Sequence, residues 1–515
     1  MSKKIFDVKL NKMRLIGGVM EETLNTKESM DNVRKTRIQK LADIADKGVN
    51  PFKYSFNKNI NAKTLQEKYE ALEAGSETED FYAIAGRIIA IRNSGMFMDL
   101  QDDSGKIQLF CHKENMGQDK FKDLKLLDIG DIIGCIGSVR RTPRGELSIK
   151  VTEVSLLTKS LRALPEKFHG LTDVETRYRQ RYVDLIVNEN VRDTFRKRSL
   201  IITKIRDYLV KQGFLEVETP MLHMKASGAN ARPFMTHHNA LDMDMALRIA
   251  PELHLKRILV GGLSEKIFEL NRNFRNEGID TRHNPEFTML ELYQAYVDYN
   301  EMMALIENMI SSVAMDVLGT TKINYCGKEL DLTPPWDRKT MIGAINEYTG
   351  IDFSSVFTRD EAAEKAEELG INVDDCDNWG KVLERIFEEK VEPHLIQPVH
   401  IIDYPRDISP LAKVHRDNPR LTERFETRIN GWEVSNAFSE LTDPLDQRNR
   451  FEMQARAKAA GDEESMEIDE DFITALEYGM PPAGGMGIGI DRIVMLLTNS
   501  PTIRDVIAFP TMRNK

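Results

Sequence analysis

Two alternating runs, Lys266–Phe274 and Glu286–Tyr293, bracket a charged loop and constrain this chain more than any other feature. Side chains on a strand point alternately to opposite faces. Phe268, Leu270 and Phe274 therefore share one face of the first run, and Thr288, Leu290 and Leu292 one face of the second. The reverse faces carry Glu269, Asn271, Asn273 and Arg275 on one run, and Phe287, Met289, Glu291 and Tyr293 on the other. Neighbouring strands with polar faces inside an otherwise apolar region describe the floor of a site. For either strand alone, a solvated sheet face reads as well.

A chain of 515 residues is too long for one core, so two or three domains are expected. No apolar run reaches membrane length. Cys111, Cys135, Cys326 and Cys376 are scattered without CxxC pairing, which argues against a zinc site or disulfide framework and fits a reducing, cytoplasmic setting. The net charge of −11 rules out a uniformly basic surface but permits local nucleic-acid contacts. Lys159 to Arg206 holds twelve Lys/Arg against six Asp/Glu, whereas Asp352 to Glu392 holds five against thirteen. A solvated helix face explains such runs equally well.

Residues 1–29 are basic, with Asp7 and scattered lysines breaking any secretory apolar core, and form an extension of unknown role. Residues 30–80 begin with a thin helical stripe of Val33, Ile38, Leu41, Ile44 and Ala45, stopped by Pro51. From 81 to 158 about five short strands alternate with Asp-Ser-Gly and Pro-Arg-Gly turns, the pattern of a small barrel of the oligonucleotide-binding kind. A linker with a basic, tyrosine-rich helix, RYRQRYVDLIV, covers 159–198. A mixed domain fills 199–515, opening with a helix over Ile201–Lys211 and the extended GFLEVETPML. Strand patterns return at Phe234–Thr236, Ala246–Ile249 and Lys266–Phe274, and an acidic helical insertion spans about 335–394.

Three constellations carry chemistry. Arg275 ends the polar floor and His283 lies in the loop beyond it. A guanidinium fork suits phosphate oxygens, and the plane of Phe287 suits a purine. Next, Asn430-Gly431 between alternating runs signals a two-residue type I′ hairpin. That register sets Arg428 opposite Glu433 with Glu426 diagonal to it, so the two carboxylates can share Mg²⁺, or Arg428 can bridge them without metal. Strict alternation sends Asn436, Phe438 and Glu440 to the other face, and bringing them beside Glu433 requires a bulge. Third, Gly487 and Gly489 in GMGIGIDR precede a helix opening near Asp491–Arg492, which suits close backbone approach and an anion. His237-His238 points to both faces of a strand and makes a poor metal site; none of the ten histidines has zinc spacing. Few chemistries need phosphate-binding cations, metal-binding carboxylates and further acids together; activation of an amino acid by a nucleotide is one.

At these residues the sequence resembles the class II aminoacyl-tRNA synthetases, and within them the lysyl-tRNA synthetases of bacterial type. GFLEVETPML, FRNEGIDTRHNPEFTMLE and GMGIGIDR match the three class II signatures in order, and the similarity runs from about Met30 to the C-terminus. The resemblance implies an α+β chain: an N-terminal OB-fold barrel, then a mainly antiparallel sheet flanked by helices. A dinucleotide reading of the glycines is thereby set aside. It also implies a homodimer built on the Gly213–Leu222 region, and the substrates L-lysine, ATP and tRNA(Lys), with Mg²⁺.

By the same resemblance Arg275 is the α-phosphate ligand, Arg492 the γ-phosphate ligand and Phe287 the adenine platform. Glu277, His283 and Asn284 match further ATP-contacting positions, and Glu426 and Glu433 the magnesium carboxylates. Gly228 and Glu252 match contacts to the α-amino group, Asn436 and Arg275 contacts to the carboxylate, and Glu291, Tyr293, Phe438 and Glu440 the pocket for the side-chain ammonium. A desolvated ammonium needs such paired, hydrogen-bonded partners. Arg87, Phe97, Gln108 and Glu146 match anticodon-reading positions, with Phe97 stacking a splayed base; core packing is the other reading of Phe97. Two rivals share parts of this pattern. The relative that lysylates an elongation factor lacks a barrel, and a synthetase-like RNA-binding protein lacks the catalytic set.

Overall fold

The computed structural model describes residues 31–165, 171–225, 228–229, 231–459 and 468–514. The extension expected over residues 1–29 lies outside them. The chain divides into two compact units between Gly170 and Leu171.

In the first unit a helix over 31–46 and another over Ala62–Lys68 precede five strands. These are β1 (Glu77–Arg92), β2 (Phe97–Gln101), β3 (Lys106–Cys111), β4 (Ile132–Arg141) and β5 (Leu147–Thr158), closed into a barrel in the order β1-β2-β3-β5-β4. Long β1 serves two neighbours because a bulge between Ile88 and Ala90 bends it, so that it pairs with both β2 and β4. Alternation sends Ile84, Ile88, Met98, Leu100, Ile107, Leu109, Ile133, Ile149 and Val151 inward. A Cβ on Gly137 would lie 2.2 Å from the Lys150 carbonyl oxygen, so closure there demands glycine.

The second unit opens with two short helices, Val174–Arg179 and Arg181–Val187, followed by α1 (Glu189–Lys211). The expected helix over Ile201–Lys211 thus starts far earlier, inside the segment read as linker, because Val191 is buried one helical stripe ahead of Ile201, Ile205 and Leu209. Short β6 (Leu215–Glu216) follows, then β7 (Leu222–His223), β8 (Met235–His238) and β9 (Met243–Leu247), a separate three-stranded sheet. After α2 (Glu252–Val260) come β10 (Lys266–Phe274) and β11 (Glu286–Ala295), paired antiparallel in the register of the two polar faces. α3 (Tyr299–Leu318) starts at a capping box of Asp298 and Glu301 and stops at Gly319, whose φ of 74° only glycine adopts cheaply. Its buried stripe of Met302, Ile306, Met309, Ile310 and Val313 covers the apolar back of the sheet, at roughly 1.5–3 kcal/mol per buried side chain.

A hairpin of β12 (Lys322–Tyr325) and β13 (Lys328–Asp331) leads to β14 (Asp337–Thr340), so the insertion opens in a strand before its helices α4 (Met341–Thr349), α5 (Arg359–Glu368) and α6 (Trp379–Lys390). Those helices bury a core of their own around Phe353, Trp379, Leu383 and Phe387. β15 (Val399–Ile402), β16 (Arg424–Ile429), β17 (Trp432–Ser439) and β18 (Ala483–Gly489) complete an eight-stranded sheet, order β14-β15-β16-β17-β18-β11-β10-β6, and α7 (Ile490–Leu497) follows directly. β14 with β15 and β10 with β6 are parallel pairs; the other neighbours are antiparallel.

Candidate active site

The middle of the large sheet makes the site. β18 lies between β17 and β11, and its register sets Gly485 between Phe438 and Tyr293, and Gly487 between Asn436 and Glu291. Alternation puts Gly485, Gly487 and Gly489 on one face of β18, with Met486 and Ile488 in the core behind. The central strand therefore shows bare backbone, and the flanking strands form the rims of a trough. A Cβ at Gly485 would fall 1.9 Å from Glu440 Oε1 and 2.5 Å from Tyr293; one at Gly487 would fall 2.5 Å from Met289. Gly485 has no room for a methyl group, whereas at Gly487 the only close atom is the flexible tip of Met289.

The hairpin supplies one rim. Asn430 and Gly431 have φ of 55° and 73°, the positive values a type I′ turn needs. Arg428 pairs with Glu433, and Glu426 with Asn436, with Val434 bulged out between them. This bulge breaks the strict alternation of the sequence reading and carries Glu433, Asn436 and Phe438 to one face. The Arg428 guanidinium does not reach across to Glu433. It bonds Glu426 and donates to Glu392 at 2.6 Å.

At one end a cavity of about 720 Å³ is lined by Arg275, Glu277, Arg282, His283, Asn284, Phe287, Glu433 and Arg492. The Arg275 guanidinium sits 5.3 Å from the centre of the Phe287 ring, so cation and aromatic plane adjoin as a nucleotide requires. Arg492 bonds the Glu433 carbonyl and donates to His283 Nε2 at 3.2 Å. Since arginine only donates, Nε2 accepts and the ring proton is on Nδ1, facing Asp280 at 2.8 Å. Burial pushes the Arg492 pKa below its usual value; Glu433 opposes this, and Arg275, Arg428 and Arg282 reinforce it. Such a crowd of cations favours a polyanion. Its neighbour Asp491 faces away, accepting from the Thr288 amide at 2.7 Å and Arg198 at 2.6 Å, which locks α7 to β11. Asn284 spends its amide on the backbone of Glu286 and Thr511 while still lining the wall.

A larger cavity, about 2350 Å³ with its open mouth, continues past Arg275, Met289, Glu433 and Gly487. Gly228, Glu252, Glu291, Tyr293, Glu426, Asn436 and Phe438 line it, together with Glu384 and Glu388 from α6 of the insertion. Gly228 has φ of +89°, and a Cβ there would lie 3.2 Å from that of Glu252. Tyr293 donates to Glu291 at 3.3 Å. Burial holds the Glu291 carboxyl well above its usual range, and Glu252 adds to the effect.

Glu440 lies beside Tyr293 and Gly485, close to the other residues expected at the side-chain end. Its carboxylate occupies the trough face over bare Gly485, beside the Tyr293 ring, where a Cβ on Gly485 would meet Oε1 at 1.9 Å. Its Oε2 is 2.5 Å from the buried ammonium of Lys256, which also donates to Glu252 at 2.6 Å. Burial pushes Glu440 up to about 8, with Lys256 acting against it and Glu252 with it. The polar floor of β10 is also spent internally: Glu269 pairs with Arg248 at 2.7 Å, Asn271 bonds Glu269 and Asn273 bonds Met289. Only Arg275 of that row faces the cavity.

Glu426 is a fully engaged carboxylate, accepting from Arg424 at 2.7 Å, Tyr404 at 3.0 Å and Arg428. Its pKa stays below the usual range because Arg428 and Arg424 outweigh burial. Glu433 has only a 3.6 Å approach from Arg492. Two carboxylates on adjoining strands beside a phosphate-binding wall suit Mg²⁺, which takes one or two carboxylates and completes its shell with phosphate and water. Among the described residues no group of three or more acids, histidines or cysteines gathers as an all-protein metal cage. His237, on exposed β8, bonds Asp244 at 2.9 Å.

In the barrel, Phe97 packs beside Phe110 with centroids 5.3 Å apart, on the side of β2 opposite the buried Met98 and Leu100. It is therefore not a core residue. Gln108 shares that side and accepts from Ser148 at 3.0 Å; Arg87 donates to the Gly130 carbonyl at 2.7 Å, and Glu146 is exposed. Phe110, His112 and Arg140 extend the same aromatic and cationic row and were missed. Alternation in KIQLFCH marks Phe110 but could not add Arg140 from another strand. Lys256, Arg282 and Arg424 were missed as well; nothing in the helical spacing of α2 betrays that Lys256 is buried.

Comparison with known proteins agrees with this geometry. Residues 173–513 match the family of class II tRNA synthetases (D, K and N), and residues 82–157 match the OB-fold nucleic acid binding domain. A lysine–tRNA ligase of Thermosynechococcus vestitus is 58% identical over 93% of this chain and 96% of its own length. Those of Moorella thermoacetica and Sinorhizobium medicae are 55% and 50% identical, over 95% and 96% of this chain and 99% of theirs. With the match spanning both units and the trough framed by the third signature, the chain belongs to the class II tRNA synthetases, in the lysine–tRNA ligase family.

Proposed function

We propose that this chain activates L-lysine with ATP and transfers the lysyl group to the 3′ end of tRNA(Lys). The observation that carries the reading is one trough with an arginine cluster at one end and buried carboxylates at the other. The names borne by its relatives agree with it. The lysine carboxylate, held by Arg275 and Asn436, attacks the α-phosphorus in line, forming lysyl-adenylate and expelling pyrophosphate. No protein base is needed, because the nucleophile is already ionised. Phe287 seats the adenine; Arg275 and Arg492 neutralise charge on the α- and γ-phosphates, with Glu277, His283 and Asn284 shaping the wall. Glu426 and Glu433 would hold Mg²⁺, which supplies further charge neutralisation. Gly228 and Glu252 receive the α-ammonium, while Glu291, Tyr293, Phe438 and Glu440 define the side-chain end. The class II resemblance assigns the second attack to the terminal 3′-hydroxyl of tRNA.

Arg87, Phe97, Gln108 and Glu146 read the anticodon in this proposal, with Phe97 as the stacking platform. Homodimerisation through the β6–β7 region is supported by exposed Val210, Leu215, Leu222 and Met224. Four unpaired cysteines suit work in the cytoplasm, and no helix among the described residues is long and apolar enough to cross a membrane. ATP–pyrophosphate exchange with each amino acid tests the proposal. Exchange with lysine alone is expected, and lack of lysine-dependent exchange would refute it.

A further inference from the structure

Lys256 has no place in the sequence-derived site, yet it holds two of its carboxylates. It stands one turn after Glu252 on α2, its side chain is fully buried, and its ammonium lies 2.6 Å from Glu252 and 2.5 Å from Glu440. Glu252 lines the cavity where an α-ammonium would sit, and the Glu440 carboxylate lies beside Tyr293 over Gly485 at the side-chain end. The same nitrogen is 5.2 Å from the centre of the Phe438 ring. One cation thus links the carboxylates at the two ends of the amino-acid subsite.

Lys256 meets Glu440 through Oε2 at 2.5 Å, and the other oxygen, Oε1, remains buried without a donor. A buried acceptor in that condition is costly unless a ligand completes it. The charge count agrees. Glu252, Glu291 and Glu440 against Lys256 leave the subsite with two negative charges if all are ionised, equal to the two ammonium groups of a diamino acid whose carboxylate is met elsewhere. Without Lys256 the same acids would exceed their ligand by one charge.

We propose that Lys256 is a specificity-determining positioning residue, a resident ammonium that ties the carboxylates at the two ends of the subsite together and matches its charge to a diamino acid. This rests on the proposed lysine-activating reaction. Lys256 touches neither the phosphates nor the reacting carboxylate, so its effect should fall on amino-acid affinity and its pH dependence. The groups facing Glu440 are Lys256 and Glu252 from α2 and Tyr293 from β11. Only Lys256 among them favours the ionised carboxylate, so its removal leaves Glu440 protonated over a wider range.

The test is steady-state ATP–pyrophosphate exchange by full-length Lys256→Met and Lys256→Arg variants, with lysine and ATP varied separately. Lys256→Met should raise the lysine KM at least about tenfold near pH 7, leave the ATP KM within about twofold, and recover affinity toward about pH 9 more steeply than the unmodified enzyme. Lys256→Arg should restore the unmodified pH profile. Equal losses for both substrates with an unchanged profile would show a merely structural lysine and overturn the proposal, as would a Lys256→Met enzyme indistinguishable from the original. Should Lys256→Met not fold, the paired Lys256→Met/Glu440→Gln variant carries the test, since it removes both charges. It should show a raised lysine KM that no longer varies through the titration of Glu440, and retention of that variation would overturn the proposal. Absence of lysine-dependent exchange in the unmodified enzyme would instead defeat the underlying reaction.

Discussion

The two ends of the trough solve opposite electrostatic problems by opposite means. At the phosphate end, Arg282 and His283 stand on an exposed loop, and Glu277 beside them is open to water. Nearby Arg275 leans on an aromatic ring, and Arg492 on a carbonyl, an imidazole and a carboxylate, Glu433, 3.6 Å away. At the amino-acid end Glu291 and Glu440 are buried on rigid strands or just beyond them, and their ionisation is suppressed until a partner arrives. A large, strongly hydrated polyanion is met by loosely held surplus charge. A small ammonium is met by acids already stripped of water, where one missing contact weighs more.

Substitutions at the two ends should therefore separate cleanly. Arg275→Ala should lower kcat for pyrophosphate exchange by about a hundred- to a thousandfold, because it removes charge stabilisation where charge develops. Single-turnover adenylate formation would read this directly. Glu291→Gln should instead raise the lysine KM by about a hundredfold, roughly 2–3 kcal/mol, and spare the ATP KM; equal effects on both substrates would erase the contrast. As an outside control, Phe97→Ala should raise the tRNA KM by about tenfold, at the low end of the range for one stacked base, and leave exchange untouched.

The smallest effect is on pH. A carboxyl whose folded pKa is raised favours the native state fully below its unfolded value and loses that advantage as pH rises through the folded one. Glu440, at about 8, and Glu291, raised by burial, should therefore make lysine binding expel protons and tighten as pH climbs toward 8. The lysine-induced rise in thermal midpoint should grow several-fold from about pH 6 to about pH 8. Calorimetry in buffers of differing ionisation enthalpy would count the protons released.

The strands of this trough were legible because their cues are local. Alternation gave the faces of β10 and β11, and Asn430-Gly431 gave the hairpin and its register. The bulge at Val434 was not legible: an extra residue between pairs leaves no mark in composition, and only the need to gather Glu433 with Asn436 hinted at it. Glu269 misled for a related reason. Its place in a polar row is local, but the arginine that consumes it comes from Arg248 on another segment. Lys256 was invisible because a lysine in an amphipathic helix reads as surface. In the barrel, alternation separates Phe97 from Met98, but it cannot say which side closes inward until all five strands are placed.

The bare face of β18 bears on how such an enzyme can change its preference. Gly485, hemmed by Tyr293 and Glu440, has no space for even the smallest side chain, so the base of the groove is fixed there against point substitution. New substrate choice can only be written on the banks, at Glu291 and Tyr293 on one and Asn436 and Phe438 on the other. An effort to retrain this protein for a different amino acid should randomise those positions and leave Gly485 alone.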